Sequence, residues 1–495
     1  MSSEERSSER REGFPHPPKN GIKMKKIFFV LISCFFALWL AVAEKTPVKS
    51  LFHYKLENGL SLFVAENHSV PLSYIEIAVR CGSYTQNAQN AGLFHLYEHM
   101  MFKGNSLYKD AASVNRALSD MGVSERNGST GLECVNYYFT VPSDMTEKGL
   151  EFWSYAIRSP LMEKSEFEAE KKVVISEING SASDPAHILM EARNDLLFSD
   201  APYTMSPSGT ENSVKNATLK QLKSIQRTFY VPNNSAVFVG GDVNPDEVFE
   251  MVKKIFGSWK KGKNPFADGM IKHPKEPFDS TVFRVMPYEK ISDQLAQILV
   301  EFRGPDAAYD EEDTFPVDIL SNLIANPSGI FKQSLANDEM LGIPDSDYVG
   351  GSYQTRKTCG ILSFYALVVQ PELDVAERAK YFVEKIPEIL EKTAKNTDKN
   401  QLLKICERLE DDNIITGQTA EGLLGTVRFW WSVCDENYYY SYNKKMSEVT
   451  DSSLFEFVEK YVAGKNPLVT VLVSPAVYEK TKSDFLQSGF EEIKR

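Results

Sequence analysis

The spacing of apolar residues changes repeatedly along the chain between two periods. Alternating apolar and polar residues predict short β-strands in both halves of the chain, at 60–65, 73–79, 135–141 and 362–369. Apolar residues that recur every three or four positions predict helices at 111–121, 165–178 and 375–393, and Pro387 predicts a kink in the last. Short strands beside long helices, without strict alternation of the two, are typical of α+β sandwiches. The pattern therefore predicts two α+β domains in tandem.

The two halves end in similar sequences. In each, an amphipathic helix runs to a tyrosine, a turn containing Asn and Pro follows, and an apolar run then predicts a buried strand. The helices reach Tyr230 and Tyr461, and the strands are expected at 236–239 and 468–473. About half of the chain separates the two tyrosines, which indicates an internal duplication.

A segment rich in Lys, Pro and Gly lies between the halves, and its composition predicts a linker. The predicted divisions are an N-terminal extension with a signal peptide, a first domain, a linker and a homologous second domain, at 1–43, 44–262, 263–280 and 281–495.

The N-terminal extension has the pattern of a secretory signal. Residues 1–23 are polar, and from Met24 two lysines precede a long apolar run that ends at Ala41-Val42-Ala43. A positive start, an apolar centre and a small-x-small end predict a secretory signal peptide, cleaved after Ala43. The alternatives are a retained membrane anchor and lipidation at Cys34, and Met24 is a candidate for the true start. We expect an exported protein of the periplasm or cell envelope, associated with a membrane only if this segment is retained.

Composition excludes some classes of protein. The chain has 495 residues, 42% hydrophobic and 25% charged, which is typical of a globular protein with more than one domain. Its net charge of -13 argues against a nucleic-acid partner, because binding to phosphates requires a positive field. Five scattered cysteines would remain after cleavage, without CxxC spacing, and we expect most to be buried free thiols.

Two of the seven histidines, His95 and His99, lie in a short stretch that favours a helix. Residues four apart share one face of a helix, so both imidazoles can reach one zinc ion. Glu98 lies beside them, within reach of a water at the metal, and is the candidate general base. The alternative, a pair of structural core histidines, is less favoured because a glutamate stands between them.

A catalytic zinc site usually has three protein ligands, and the third is expected downstream. The capping-box spacing of Ser165 and Glu168 predicts a helix that begins there. Its apolar stripe contains Phe167, Val174 and Ile178. Glu170 and Glu177 lie on or beside this stripe, where a carboxylate is costly unless it is paired or binds a metal. We assign Glu177 as the third ligand and Glu170 as the group that orients a ligand histidine; the alternative is ion pairs with neighbours such as Lys171.

His-x-x-Glu-His followed by a distant glutamate is the inverzincin signature. The surrounding sequence resembles the pitrilysin and insulysin family, which includes the mitochondrial processing peptidases. The similar segments are GLFHLYEHMMFKGN, NGSTGLECVNYYFTVP, EKKVVISEI and FYVPNNSAVFVGGDV, and the resemblance extends over about 51–475. It implies one Zn²⁺ per chain, held by His95, His99 and Glu177. It also implies that Glu98 is the base and that Glu170 is hydrogen-bonded to a ligand histidine. It also implies that Asn127 lies in the substrate cleft.

Members of that family also use an Arg and a Tyr from a C-terminal domain to bind substrate and stabilise the oxyanion. The matching region here has no arginine between Arg303 and Arg356, and Ala336 or Asn337 stands near its position. Tyr348 lies near the tyrosine position. The family's working unit is a chamber of four domains, and this chain supplies two. We therefore expect a dimer, and a homologous partner subunit that supplies Arg and Tyr is favoured over a homodimer.

The favoured function is an exported zinc metalloendopeptidase that cuts peptides or small unfolded proteins. The alternative is a non-catalytic scaffold subunit of a peptidase-like complex, which would have no need of a complete set of ligands and base. A processing peptidase for precursor proteins would differ only in substrate. The strand at 135–141 is expected to be an ordinary half-buried strand; as an edge strand it could instead pair with a peptide.

Overall fold

The computed structural model describes residues 50–198, 202–267, 269 and 277–494. The predicted signal segment and Cys34 lie outside the described residues. Within them, no helix has both the length and the apolar character needed to cross a membrane. None of the five described cysteines forms a disulfide; three are buried and two half-buried, as expected.

Each half of the chain forms one six-stranded sheet. The strands of the first sheet, β1 to β6, are Leu51–Lys55, Ser61–Glu66, Leu72–Val79, Arg126–Thr130, Val135–Pro142 and Ser235–Gly241. Those of the second, β7 to β12, are Val282–Pro287, Leu295–Arg303, Val349–Gln354, Ile361–Val369, Leu468–Val473 and Glu491–Glu492. The strands predicted from alternation are β2, β3, β5 and β10.

The two sheets have the strand orders β1-β2-β6-β3-β5-β4 and β12-β7-β11-β8-β10-β9, which correspond in all strands but the first of each. The exception is that β1 is antiparallel to β2, whereas β12 is parallel to β7. In each, the late apolar strand lies in the middle, parallel to one neighbour and antiparallel to the other. These late strands, β6 and β11, are the two that follow the matched helix endings. The prediction of two homologous α+β domains in tandem is thereby confirmed, whereas their numerical boundaries stay predictions.

Sixteen helices are described. Those of the first half, α1 to α8, are Leu93–Met101, Ala111–Asp120, Thr146–Arg158, Lys164–Ser181, Pro185–Leu197, Glu211–Lys215, Leu219–Phe229 and Pro245–Phe256. Those of the second, α9 to α16, are Glu311–Ala325, Ile330–Ala336, Val375–Lys395, Lys399–Thr416, Ala420–Val433, Glu436–Ser447, Asp451–Tyr461 and Pro475–Gln487. The helix α11 continues through Pro387; the kink there stays a prediction.

One face of each sheet packs against helices of its own half. The other face is covered by a helix from the opposite half. On the first sheet, α13 packs Leu424 and Trp431 against Phe63 and Phe238 of β2 and β6. On the second sheet, residues of α5 such as Ile188 pack against strands β7 and β11. The two halves therefore exchange a helix, and each completes the core of the other.

An ion pair joins each exchanged helix to the sheet that it covers. Arg428 of α13 lies 2.7 Å from Glu76, which is fully buried in β3 and also accepts a hydrogen bond from Asn136. Arg193 of α5 lies 3.5 Å from the buried Glu301 of β8. A buried carboxylate is costly without a partner, so these pairs tie helix to sheet.

The ends of the exchanged helices are also held by arginines. Arg80, just beyond β3, donates to the carbonyl of Trp431 near the end of α13. Arg303, at the end of β8, donates to the carbonyl of Leu197 at the end of α5. Cations at helix C-termini satisfy free carbonyls and the helix dipole.

Candidate active site

The helix α1 presents its polar residues on one side only. Of its nine residues, six are buried in the core of the first half, at Leu93, Phe94, Leu96, Tyr97, Met100 and Met101. The other three are His95, Glu98 and His99, all half-buried. The apolar residues thus fix the orientation of the helix, and the three polar side chains face the same opening.

The first turn of α1 depends on a glycine. Gly92 precedes the helix with a φ of 80°, and a Cβ there would lie 2.3 Å from the carbonyl oxygen of Ser208. Only glycine fits this left-handed conformation and close approach. Gly92 therefore brings α1 against the 206–209 loop.

His99 is oriented from behind. Its Nδ1 lies 3.0 Å from Oε2 of Glu170 on α4, and Oε1 of Glu170 lies 2.6 Å from Nζ of Lys103. A carboxylate only accepts hydrogen bonds, so Nδ1 of His99 is the donor. The lone pair of His99 is consequently on Nε2, which points toward His95 and Glu177.

Three donor atoms converge at this point. Nε2 of His95 and Nε2 of His99 are 3.2 Å apart, and Oε2 of Glu177 lies 3.7 Å and 3.6 Å from them. Zinc bonds of 2.0–2.1 Å at tetrahedral angles would separate ligands by about 3.3–3.4 Å. The triangle therefore fits a zinc ion with the two nitrogens and one oxygen as ligands. Among the described residues, these three are the His, Cys, Asp or Glu side chains whose ligand atoms lie close enough together to hold a metal ion.

The protonation of His95 also suits a ligand. Burial, followed by the proximity of His99, lowers the pKa of His95 to about 4. Its buried Nδ1 has no hydrogen-bond partner among the described residues. A neutral imidazole is the form that binds metals.

Glu98 lies between α1 and β4, the edge strand of the first sheet. Oγ1 of Thr130 donates to Oε2 of Glu98 at 2.8 Å, and a Cβ on Gly128 would come within 2.8 Å of Oε1. Burial raises the pKa of Glu98, against the hydrogen bond from Thr130 and the proximity of His99. The carboxylate is thus confined beside the donor triangle without being part of it, as a proton acceptor for a water would be.

The two glutamates of α4 differ in burial. Glu170 is 8% exposed, but Glu177 is 48% exposed, so the expectation that both lie on the buried side is wrong for Glu177. Glu177 is near the solvent-facing end of α4, where the burial of α4 is weak. The capping box is also wrong, because α4 begins at Lys164 and has no side-chain cap. Lys103, and not Lys171, is the partner of Glu170.

Among the described contacts, neither of the two predicted substrate-binding residues touches the triangle. Asn127 is on β4 next to Gly128, but it pairs with Tyr138 and its side chain is on the sheet face away from α1. Tyr348 is exposed in a 3₁₀ turn before β9. Among the described contacts, none joins Tyr348 to His95, Glu98, His99 or Glu177. Their roles stay predictions.

Three residues near the triangle were not identified individually from the sequence. They are Lys103, which fixes Glu170, and Gly128 and Thr130, which adjoin Glu98. Lys103 lies four residues after His99, so helical spacing could have pointed to it. The strand 135–141 is confirmed as an ordinary strand, since β5 lies between β3 and β4.

Comparisons with known families cover both halves. Residues 62–211 match the family described as insulinase (peptidase family M16). Residues 216–409 match the family described as the peptidase M16 inactive domain.

Curated relatives share low identity with the chain. A zinc protease of Helicobacter pylori, PqqE, is 26% identical over 56% of this chain and 62% of its own length. A probable mitochondrial-processing peptidase subunit beta of Arabidopsis thaliana is 23% identical over 55% of this chain and 50% of its own length. The matches therefore span about half to three-fifths of these relatives.

Solved structures have the same fold. A protease from Helicobacter pylori superimposes with a TM-score of 0.71 and 22% identity, covering 87% of this chain and all of that one. The periplasmic protease PqqL from Escherichia coli superimposes with a TM-score of 0.67 and 17% identity, covering 88% of this chain but 50% of PqqL. The first half of PqqL alone is covered to 96%. This chain thus corresponds in fold to half of a longer protein such as PqqL.

Proposed function

Because the chain belongs to the insulinase (M16) peptidase family in both of its halves, we propose that it is a zinc metalloendopeptidase. The observation that supports this most directly is the convergence of His95, His99 and Glu177 beside Glu98. A non-catalytic scaffold would have no use for this arrangement.

His95, His99 and Glu177 would hold one Zn²⁺, and the distances between their donor atoms fit that ion. Bound there, zinc would supply Lewis acidity toward a peptide carbonyl and a water. Glu170 would keep the Nδ1 proton of His99 in place, and Lys103 would hold the carboxylate of Glu170 in its orientation.

Glu98 would accept a proton from the attacking water and then donate it to the leaving amine. Burial raises the pKa of Glu98, which is the direction that favours uptake of a proton from the water. Thr130 would hold Oε2 by its hydrogen bond, which leaves Oε1 free to face the water.

The substrate would bind as an extended strand on β4. The outer edge of β4 has no partner strand among the described residues. The face of β4 that is turned toward α1 adjoins Glu98. An edge strand can pair with any extended peptide through main-chain hydrogen bonds, so peptides and small unfolded proteins are the expected substrates. Asn127 would contribute to this strand, and Tyr348 would act from the second half.

We further propose that the working enzyme is a dimer. The chain corresponds to about half of PqqL, and Ala336 or Asn337 stands where the resemblance implied an arginine. A homologous subunit that supplies Arg and Tyr is favoured over a second copy of this chain. The signal-like segment before Glu44, together with the likeness to a periplasmic protease, supports an exported enzyme of the periplasm or cell envelope.

Zinc content and hydrolysis of a quenched peptide, measured together, test the proposal. Glu98→Gln should retain stoichiometric zinc and lose activity by about 10²–10⁴-fold, because only proton transfer is removed. His95→Ala should lose both zinc and activity. A wild-type chain without zinc, or activity that survives Glu98→Gln, would contradict the proposal. A pure chain that binds zinc but cleaves only after a homologous subunit is added would support the heterodimer.

A further inference from the structure

Alternate residues of β4 face α1. Thr130 and Gly128 adjoin Glu98, as described above, and the next residue on that face is Arg126. Its guanidinium carbon lies 5.1 Å from the centre of the Phe102 ring, just beyond the end of α1. The side chain of Arg126 thus extends the row that begins at the candidate catalytic carboxylate.

The ring of Phe102, over which this guanidinium lies, is held in place by two aromatic residues. Its ring lies 6.0 Å from that of Tyr137 and 6.1 Å from that of Trp153, both fully buried. An arginine stacked on a fixed aromatic ring keeps its planar edge free to bind a carboxylate through two parallel hydrogen bonds.

No carboxylate among the described residues pairs with Arg126. Among the described residues, none of the ion pairs and hydrogen bonds involves its guanidinium, and the ring of Phe102 is its contact. The neighbouring cation, Lys103, is paired with Glu170. An exposed, oriented and unpaired guanidinium therefore stands in line with Glu98, in a chain whose net charge is -13.

We propose that Arg126 binds a carboxylate of the peptide substrate and so determines part of the cleavage specificity. Side chains on one face of a strand recur every two residues, about 6.6–6.8 Å apart. A peptide paired with β4 would therefore present to Arg126 the residue two positions from the one at Gly128. The carboxylate is an acidic side chain at that position or the C-terminus of the peptide. This inference rests on the proposed binding of peptides along β4.

Binding can be measured without turnover. Short neutral peptides with an amidated C-terminus, each with one Glu moved along the sequence, are titrated by fluorescence anisotropy into the Glu98→Gln protein. A second arm uses peptides of increasing length that carry a free C-terminus and no Glu. We expect Glu at one position, or the free C-terminus at one length, to strengthen binding about tenfold through a bidentate contact. Which arm responds identifies the source of the carboxylate.

The gain should disappear when Arg126→Gln is added and decrease with Arg126→Lys, which keeps the charge but not the fork. The matched control is Arg408→Gln, which removes an exposed arginine from α12 in the second half. A series without dependence on Glu or the free C-terminus, or a gain that survives Arg126→Gln, would overturn the inference.

The proposed function can fail separately. If wild-type protein hydrolyses the peptides but neither arm depends on Arg126, the inference falls and the peptidase proposal stands. If the wild-type chain binds no zinc, or hydrolyses nothing even after a homologous subunit is added, while binding depends on Arg126, the inference stands and the peptidase proposal falls. If no peptide is bound, and none is cleaved with the homologous subunit present, both fall.

Discussion

At the residue scale, the position of Glu98 depends on a neighbour without a side chain. Gly128 faces Glu98 so closely that an added methyl group would lie 2.8 Å from Oε1 and 3.1 Å from Cγ. The end of a glutamate side chain can move aside at little cost in stability. We therefore expect Gly128→Ala to keep the fold and the zinc while it displaces the base.

The expected result is a decrease in kcat of about 10–100-fold, because a displacement of about 1 Å at a reacting group can have that effect. Ser129→Ala is the control, since Ser129 is the next residue of β4 and lies on its other face. Zinc content and thermal midpoint should match wild type in both variants. An unchanged kcat for Gly128→Ala would show that Glu98 is not held at this point.

At the element scale, the sequence predicted those features that are local. The common face of His95 and His99 on α1 follows from their spacing of four residues. The burial of Glu170 follows from its place on or beside the apolar stripe of α4. The edge strand β4 could not be predicted, because Arg126–Thr130 contains no alternating apolar residues. Its place is set by pairing with β5. The exposure of Glu177 likewise depends on which other segments pack over the end of α4. The spacing of apolar residues within α4 does not show this.

The helix α9 contains a carboxyl group that gives a pH-dependent prediction. Tyr442 donates to Asp318 at 2.7 Å, and burial raises the pKa of Asp318 from 3.8 to about 6. A raised pKa means that the folded protein favours the neutral form. The contribution of Asp318 to stability is therefore full below pH 3.8 and lost as the pH rises through about 6.

In Asp318→Asn, this contribution to stability should not be lost as the pH rises, because the amide does not ionise. Relative to wild type, its unfolding free energy should rise by about 1–3 kcal/mol between pH 4 and pH 7, since each pKa unit corresponds to about 1.4 kcal/mol and the side chain retains some exposure. Denaturant titrations at both pH values measure the difference. If the variant and wild type differ in unfolding free energy by the same amount at pH 4 and at pH 7, the prediction is contradicted.

At the scale of the whole molecule, the exchanged helices make the two halves interdependent. Arg428 compensates Glu76, which is completely buried, so Arg428→Met leaves that carboxylate without its cation. We expect a loss of about 3–5 kcal/mol in unfolding free energy. Adding Glu76→Gln should restore most of it, because a neutral amide needs no cation.

Arg408→Met is the control, as Arg408 is exposed on α12 and joins no sheet. Full additivity of the two substitutions at Glu76 and Arg428 would contradict the proposed coupling. Local sequence patterns could not have predicted this link, since Glu76 and Arg428 belong to different halves and meet only after both sheets have formed. The apolar face of α13 is visible in the sequence, but its contact with the sheet of the other half is not.

The exchange of helices also imposes an order in time on a growing chain. The cover of the second sheet, α5, is synthesised before that sheet, whereas the cover of the first sheet, α13, is synthesised long after it. While a ribosome works through the second half, the aromatic face of Phe63 and Phe238 has nothing to cover it. Chains interrupted before Ala420 should therefore be the ones that chaperones retain or that aggregate.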